Sequence, residues 1–232
     1  MKMGLGLGLF TSRSRASVAP ALSTPYWAYF ESDKGFAPAQ WSDQSGNARH
    51  LLQATGALQL TSAANQQNGF PAIVGTASQY MQTGTSSLGP IMSYVAVVQC
   101  TPGASGVADA VVDGKAAYAA LLSDTTPETY LYNGGSLQKS PATALSSSVY
   151  NIVTAVFNNA TSRIDVANGA GTATSGTTSA GSAVNGIGIN TLNGIGRGMP
   201  CKWLGMYVFG GAISAPDEAT LVAYIKAKWA IA

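Results

Sequence analysis

An all-β sandwich closed by one C-terminal helix is the fold the sequence predicts, and three observations carry it. Only 9% of the 232 residues are charged while 46% are hydrophobic, against about 25% charged in an ordinary soluble domain. The chain holds 27 glycines, and short runs of Val, Ile, Tyr and Phe recur between Gly, Pro, Asn, Asp and Ser. Only the last segment repeats its apolar residues at helical spacing. With a mean hydropathy of +0.15, the chain is neither disordered nor a coiled coil. No apolar run approaches the roughly 18 residues of a membrane-spanning helix, and no membrane partner is expected. A net charge of +2 is too small for the clustered basic surface that nucleic acid requires.

The elements follow in order. Residues 1–24 read as an extended N-terminal arm, and residues 25–232 as one sandwich domain. The opening MKMGLGLGLF has a basic start and an apolar stretch, but Arg13 and Arg15 fall where a signal-peptide cleavage region would be small and neutral. Leu5, Leu7 and Leu9 share one face of an extended strand. With Phe10, Arg13 and Arg15 they suit addition to a partner's sheet edge; the alternative is a strand packed on its own domain.

Strands are expected at 26–31, 72–74, 79–82, 94–100, 116–122, 129–132, 152–157, 163–166, 184–189 and 204–209. The runs 152–157 and 163–166, separated by Asn158-Asn159-Ala160-Thr161, form a hairpin. Asn133-Gly134 and Asn168-Gly169 mark further turns. Residues 171–182 read as a long surface loop, and many short strands at this spacing indicate two sheets. The helix starts at Ser214-Ala215-Pro216-Asp217, a capping serine with a proline in the first turn and acids near the positive dipole end. Leu221, Val222, Ile225 and Trp229 form its apolar stripe, Lys226 and Lys228 load its last turn, and Trp229 is expected to seal the sandwich. Cys100 and Cys201 end strand-like runs. They are read as small buried hydrophobes, with a single bridge as the minor alternative.

Acid–base chemistry has few places to live. Glu31 and Asp33 are the closest acid pair on a strand, and Lys34 beside them suggests a solvated charge cluster. Asp217 and Glu218 are explained by the helix start, while Asp109, Asp113, Asp124 and Glu128 sit in turn-like contexts. His50, the single histidine, follows a Gly-Asn turn and reads as loop packing, with no Gly-x-Ser-x-Gly elbow to accompany it. The Gly186-Ile-Gly188 and Gly194-Ile-Gly196 pairs lack the helix that would make them phosphate loops. No cofactor is expected. Calcium, with Asp43, Ser45 and Asn47 as oxygen donors, is a minor reading because only one carboxylate is offered. Tyr118, Tyr130 and Tyr132 are the candidate aromatic platforms for a sugar, with packing between the sheets as the favoured alternative.

Several motifs carry a family resemblance. Trp41-Ser-Asp43-Gln-Ser45-Gly46-Asn47, then Asn68-Gly69-Phe70-Pro71-Ala72, resemble the "W-x-D-x-S-G-N" and "NG-x-P-A" patterns of concanavalin A-like, laminin-G-type domains. Tyr224-Ile-Lys-Ala-Lys228-Trp229 is similar to the family's closing helix. The resemblance covers roughly residues 26–232 and is to versions found in tailed-bacteriophage virion proteins. It implies a lectin-like jelly roll and a capsid decoration or minor capsid protein on the virion surface, assembled in the host cytoplasm. The arm would bind other virion proteins, a major capsid protein or tail components, and a homo-oligomer, with a trimer as a common arrangement, is implied. The alternative is a tail-fibre or receptor-binding module recognising host surface glycan. Hydrolases of this fold cluster acids as Glu-x-Asp-x-Glu; no such cluster is present, so an enzyme is not expected and one acting on polysaccharide is the weakest alternative.

Overall fold

The computed structural model of the chain describes residues 18–101, 109–114, 120–123, 129–132, 137–140, 145–158, 162–167, 184–191 and 198–232. The strands are, in order, β1 (Tyr26–Glu31), β2 (Phe36–Ala37), β3 (Gln40–Trp41), β4 (Leu51–Leu52), β5 (Thr61–Gln67), β6 (Phe70–Gly75), β7 (Met81–Thr83) and β8 (Met92–Cys100). They continue as β9 (Asp109–Asp113), β10 (Ala120–Ser123), β11 (Thr129–Tyr132), β12 (Leu137–Ser140), β13 (Asn151–Phe157), β14 (Arg163–Ala167), β15 (Gly188–Ile189) and β16 (Cys201–Phe209), and helix α1 (Ala215–Trp229) ends the chain. The fold is an all-β sandwich of two antiparallel sheets with one C-terminal helix. One sheet has seven strands in the order β14-β13-β8-β16-β6-β5, with β1 also on β16; the other has nine, in the order β12-β11-β10-β9-β15-β7-β4-β3-β2.

Strand β16 is central to the first sheet. It pairs with β8 from Cys201 to Phe209 on one side; on the other it pairs with β6 through Trp203 and with β1 from Gly205. Its side chains, with those of β8 and β13, are apolar on both faces, as a strand covered on both faces requires. Trp41, Leu51, Met81, Tyr94, Val98, Val112, Ile189 and Trp203 belong to the core between the sheets. Val95, Val97, Ile152, Tyr207 and Phe209 face outward and pack beneath Leu221, Ile225 and Trp229 of α1.

The helix begins as the sequence predicts. Ser214 Oγ accepts from the Asp217 amide at 3.3 Å, and Lys226 and Lys228 occupy the last turn. Trp229 is fully buried and lies on Gly205: a methyl there would sit 2.8 Å from Trp229 Cη2 and 3.2 Å from the Phe30 carbonyl oxygen. The hairpin joins β13 to β14, with Ile152 opposite Ala167 and Val156 opposite Arg163. Two strand expectations are corrected by length, and a third falls only partly within the described residues. The 184–189 run contributes a bridge from Val184 to Leu88 and only two residues of β15. The 79–82 run begins at Met81 as β7, and the 116–122 run enters the described residues at Ala120 as β10. Asp109 and Asp113, expected in turns, bound strand β9. The turns at Asn133 and Asn168, the loop at 171–182 and the glycines at 194 and 196 lie outside the described residues.

Cys100 and Cys201 form a disulfide, so the bridge, and not the pair of small hydrophobes, is the structure's answer. Sequence distance hid this, because the two are 101 residues apart; register brings them together as the terminal pair of β8 and β16.

Two outcomes test this packing. Closing a loop near 100 residues is worth about 4.7 kcal/mol in the chain-entropy model, so reduction, or Cys100→Ser with Cys201→Ser, lowers the denaturant midpoint of the domain. Gly205→Ala forces its methyl into the Trp229 ring and lowers stability by about 1–3 kcal/mol, read by chemical denaturation.

Candidate functional site

Because α1 covers the outer face of the seven-stranded sheet, the outer face of the nine-stranded sheet is the surface left for a ligand. Directly opposed residues of antiparallel strands share a face, so the register sorts the sheet into rows. Phe36, Trp41, Leu51 and Thr83 are successive partners across β2, β3, β4 and β7, and the last three are buried against the core. Met81, Ile189 and Val112 make a second inner row across β7, β15 and β9. Between them runs an outer row: Ala37, Gln40, Leu52, Gln82, Gly188 and Asp113.

This row changes character along its length. At the β2–β4 end Ala37 is exposed, Gln40 is half-buried and Leu52 is 44% exposed. Gln40 Nε2 donates to Ser42 Oγ at 3.0 Å, which fixes the amide in place. Further in, Gln82 is half-buried, and its Oε1 is buried and accepts no hydrogen bond among the described residues. At the β9 end Gly188, Asp113 and Thr191 are all buried. Asn190, at φ 55°, turns the chain after β15, and Thr191 then folds back over Gly188, where an added methyl would meet its Cγ2 at 2.2 Å. The strip thus offers amide groups and one leucine on an open floor that ends against a wall. Amides, hydroxyls and a small apolar surface are what polyhydroxylated ligands recognise through directed hydrogen bonds and face contacts.

The sequence reading placed its sugar candidates further along this sheet. Tyr130 is in register with Leu122 and Lys139, and Tyr132 with Ala120 and Leu137; Leu131 between them is in register with Leu121, itself opposite Val112 of the inner row. Tyr118 lies outside the described residues, as do Leu5, Leu7, Leu9, Phe10, Arg13 and Arg15 of the expected arm. Gln40, Leu52 and Gln82 escaped the sequence reading because two-residue strands carry no periodic signal. The alternation of Met81 and Gln82 within the 79–82 run was the one clue.

Glu31 is not the solvated group its neighbour Lys34 suggested. It is fully buried. Its carboxylate receives Lys34 Nζ at 2.6 Å, Lys228 Nζ at 2.9 Å, Tyr224 Oη at 2.6 Å and Tyr207 Oη at 3.0 Å. Lys228 also binds Asp33 at 2.9 Å. Burial alone would raise the Glu31 pKa, but the Lys228 charge and the hydrogen bonds from Lys34, Tyr224 and Lys228 outweigh it and hold the carboxyl below its ordinary range. Burial, and then the adjacent Glu31, push the Tyr207 hydroxyl well above its ordinary value, so it stays protonated and donates. With four donors and no exposure, Glu31 clamps β1, β16 and α1 together and cannot reach a glycosidic bond.

The Asp43 loop is equally self-satisfied. Asp43 accepts from the amides of Tyr29, Ser45 and Arg49 and from Ser45 Oγ. His50 Nδ1 accepts from the Asp43 amide at 3.0 Å, and Asn47 Nδ2 donates to the Tyr26 and Trp27 carbonyls. These bonds use both carboxylate oxygens of Asp43 and the Ser45 hydroxyl, and the described residues hold no cluster of three metal-ligating His, Cys, Asp or Glu side chains. Asp217 does more than cap α1: its carboxylate takes the amides and hydroxyls of Ser23 and Thr24, and those hydrogen bonds hold its pKa below the ordinary range. Glu218 pairs with Arg163, which also binds Asp165.

No family model matches the chain, and no curated protein matches its sequence. Solved structures do resemble it. A Trypanosoma rangeli sialidase in complex with sialic acid aligns with a TM-score of 0.62 at 10% identity, over 88% of this chain and 33% of that one. Domain 4 of AbnA, a GH43 extracellular arabinanase from Geobacillus stearothermophilus, in complex with arabinotriose, gives 0.59 at 11% identity, over 85% and 98%. A GH54 α-L-arabinofuranosidase mutant soaked with its 4-nitrophenyl arabinofuranoside gives 0.62 at 17%, over 82% and 51%. The chain therefore spans a third of the sialidase's length. Likeness at these identities shows the fold.

These neighbours are carbohydrate-active proteins, and they overturn the expectations of a bacteriophage virion structural protein and of a chain without enzymatic function. Both expectations had a physical weakness. The "W-x-D-x-S-G-N" motif is turn chemistry around Asp43, which serves the fold and not a particular assembly. Low charge content does not limit catalysis either, since two carboxylates suffice for glycoside cleavage.

The clamp predicts an acid response. A carboxyl whose folded pKa lies below its unfolded value stabilises the fold above the unfolded pKa and loses that contribution as pH falls. The unfolding free energy, followed by denaturant titration, is therefore flat near neutrality and falls below about pH 4.5. Glu31→Gln removes the charge on which Lys34 and Lys228 converge and leaves Lys228 with Asp33, lowers stability at neutral pH by about 3 kcal/mol and flattens the acid slope.

Proposed function

We propose that this chain is a carbohydrate-active domain of the concanavalin A-like jelly-roll kind, which binds a glycan on the outer face of its nine-stranded sheet. The observation that carries the reading is the outer row of Gln40, Leu52 and Gln82, open to solvent and ending in a buried acceptor without a partner. It is supported by the fold shared with a domain that is in complex with arabinotriose.

Cleavage is the second reading, favoured by the glycoside-hydrolase neighbours. Hydrolysis needs a general acid and a second carboxyl to act as nucleophile or base, and Asp113, the acid of this row, is fully buried beyond Gly188 and out of a sugar's reach.

The two readings separate in one set of measurements. A glycan array and calorimetry with arabino-oligosaccharides show saturable binding. Leu52→Asp weakens it about tenfold, a loss of about 1.4 kcal/mol, with the melting temperature unchanged. Release of reducing sugar marks an enzyme; binding without release marks a recognition domain. An array with no saturable hit rejects both.

A further inference from the structure

The outer row is blind at one end, and we propose that it takes the terminus of an oligosaccharide chain and not an internal stretch of a polymer. This rests on the glycan reading above and sharpens its ligand class.

Three features make the blind end. Exposure falls along the row from Ala37 and Leu52, through half-buried Gln82, to buried Gly188 and Asp113. The open part, from β2 through β7, spans three inter-strand steps, about 14 Å, which suits a few sugar units. Beyond it stands a wall: left-handed Asn190 turns the chain so that Thr191, itself fully buried, closes over Gly188. A sugar chain lying across β2, β3, β4 and β7 meets that wall immediately after Gln82 and has no way to continue along the row.

Gln82 stands at the foot of the wall with a buried Oε1 that accepts no hydrogen bond among the described residues. A buried acceptor left without a partner costs about 1–3 kcal/mol, and a hydroxyl of the last sugar unit supplies the missing donor. Internal and terminal units both carry hydroxyls that can donate, so the acceptor asks for a hydroxyl at this point and the wall asks that it belong to the last unit. Leu52, one step out, gives the apolar patch for the preceding unit, and Gln40 the next amide.

Calorimetry on the whole chain tests this, with arabinobiose, arabinotriose, arabinohexaose and linear arabinan as probes, followed by the same length series of the strongest saccharide on the array. Affinity is expected to level off by the trisaccharide, with no more than two domains bound per polymer chain however long it is. Gln82→Leu is expected to weaken every oligomer at least tenfold without lowering the melting temperature. Several domains per polymer chain, or affinity that keeps rising with length, overturns end recognition while leaving glycan binding intact. Unchanged affinity in Gln82→Leu overturns the role of the acceptor. Failure of all saccharides to bind removes the glycan reading itself, and this inference with it.

Discussion

Strand β16 is the constraint on which the rest of the molecule depends. Its nine residues are paired along both edges and covered on both faces, so no part of it is available to a ligand. Its first residue is bridged to β8, its middle carries Gly205 beneath Trp229, and Tyr207 beyond reaches the buried Glu31. Since α1 needs that outer surface for its apolar stripe, the seven-stranded sheet is committed to structure on both sides. That leaves the outer face of the other sheet, which no helix covers among the described residues.

The Glu31 clamp follows from the same geometry. A helix laid on a sheet is held by apolar contact, which has little directional preference. Lys228 and Tyr224 from α1, Tyr207 from β16 and Lys34 from the turn after β1 converge on one carboxylate. Such an arrangement fixes the angle and register of the helix in a way that Leu221 and Ile225 alone do not. The second latch, Asp217 to Ser23 and Thr24, binds the start of the described chain to the start of the same helix. In both places charge is spent on geometry inside the molecule, which is why so few charged groups are left for the surface.

Much of the fold was legible because the central strands announce themselves. β8, β13 and β16 are long enough, and apolar enough on both faces, to be read from residue type alone. Ser214-Ala-Pro-Asp217 gives the start of α1 for a local reason, since capping depends on adjacent residues. What escaped was long-range. β5, with the sequence TSAANQQ, has no strand-forming composition and is a strand because β6 lies beside it. Cys100 and Cys201 are partners by register, and Glu31 is buried because α1 returns over it from nearly two hundred residues away. The candidate site was the least legible part. Ala37, Gln40, Leu52 and Gln82 come from four short strands, and nothing in their local sequence shows that they form one row.

Low charge, which first seemed to point away from chemistry, suits the ligand class that this row fits. A steering field helps an enzyme or receptor whose partner is charged. A neutral sugar has no net charge to steer, and its many hydroxyls are matched by groups that both donate and accept, such as the amides of Gln40 and Gln82. Amides keep these properties at any ordinary pH, whereas a carboxylate only accepts and a lysine only donates. A strip of amides with a leucine between them therefore reads hydroxyl geometry without selecting for charge. On the glycan reading proposed above, the orientation of the Gln82 acceptor, not the number of ionisable groups, is what the specificity of this sheet turns on.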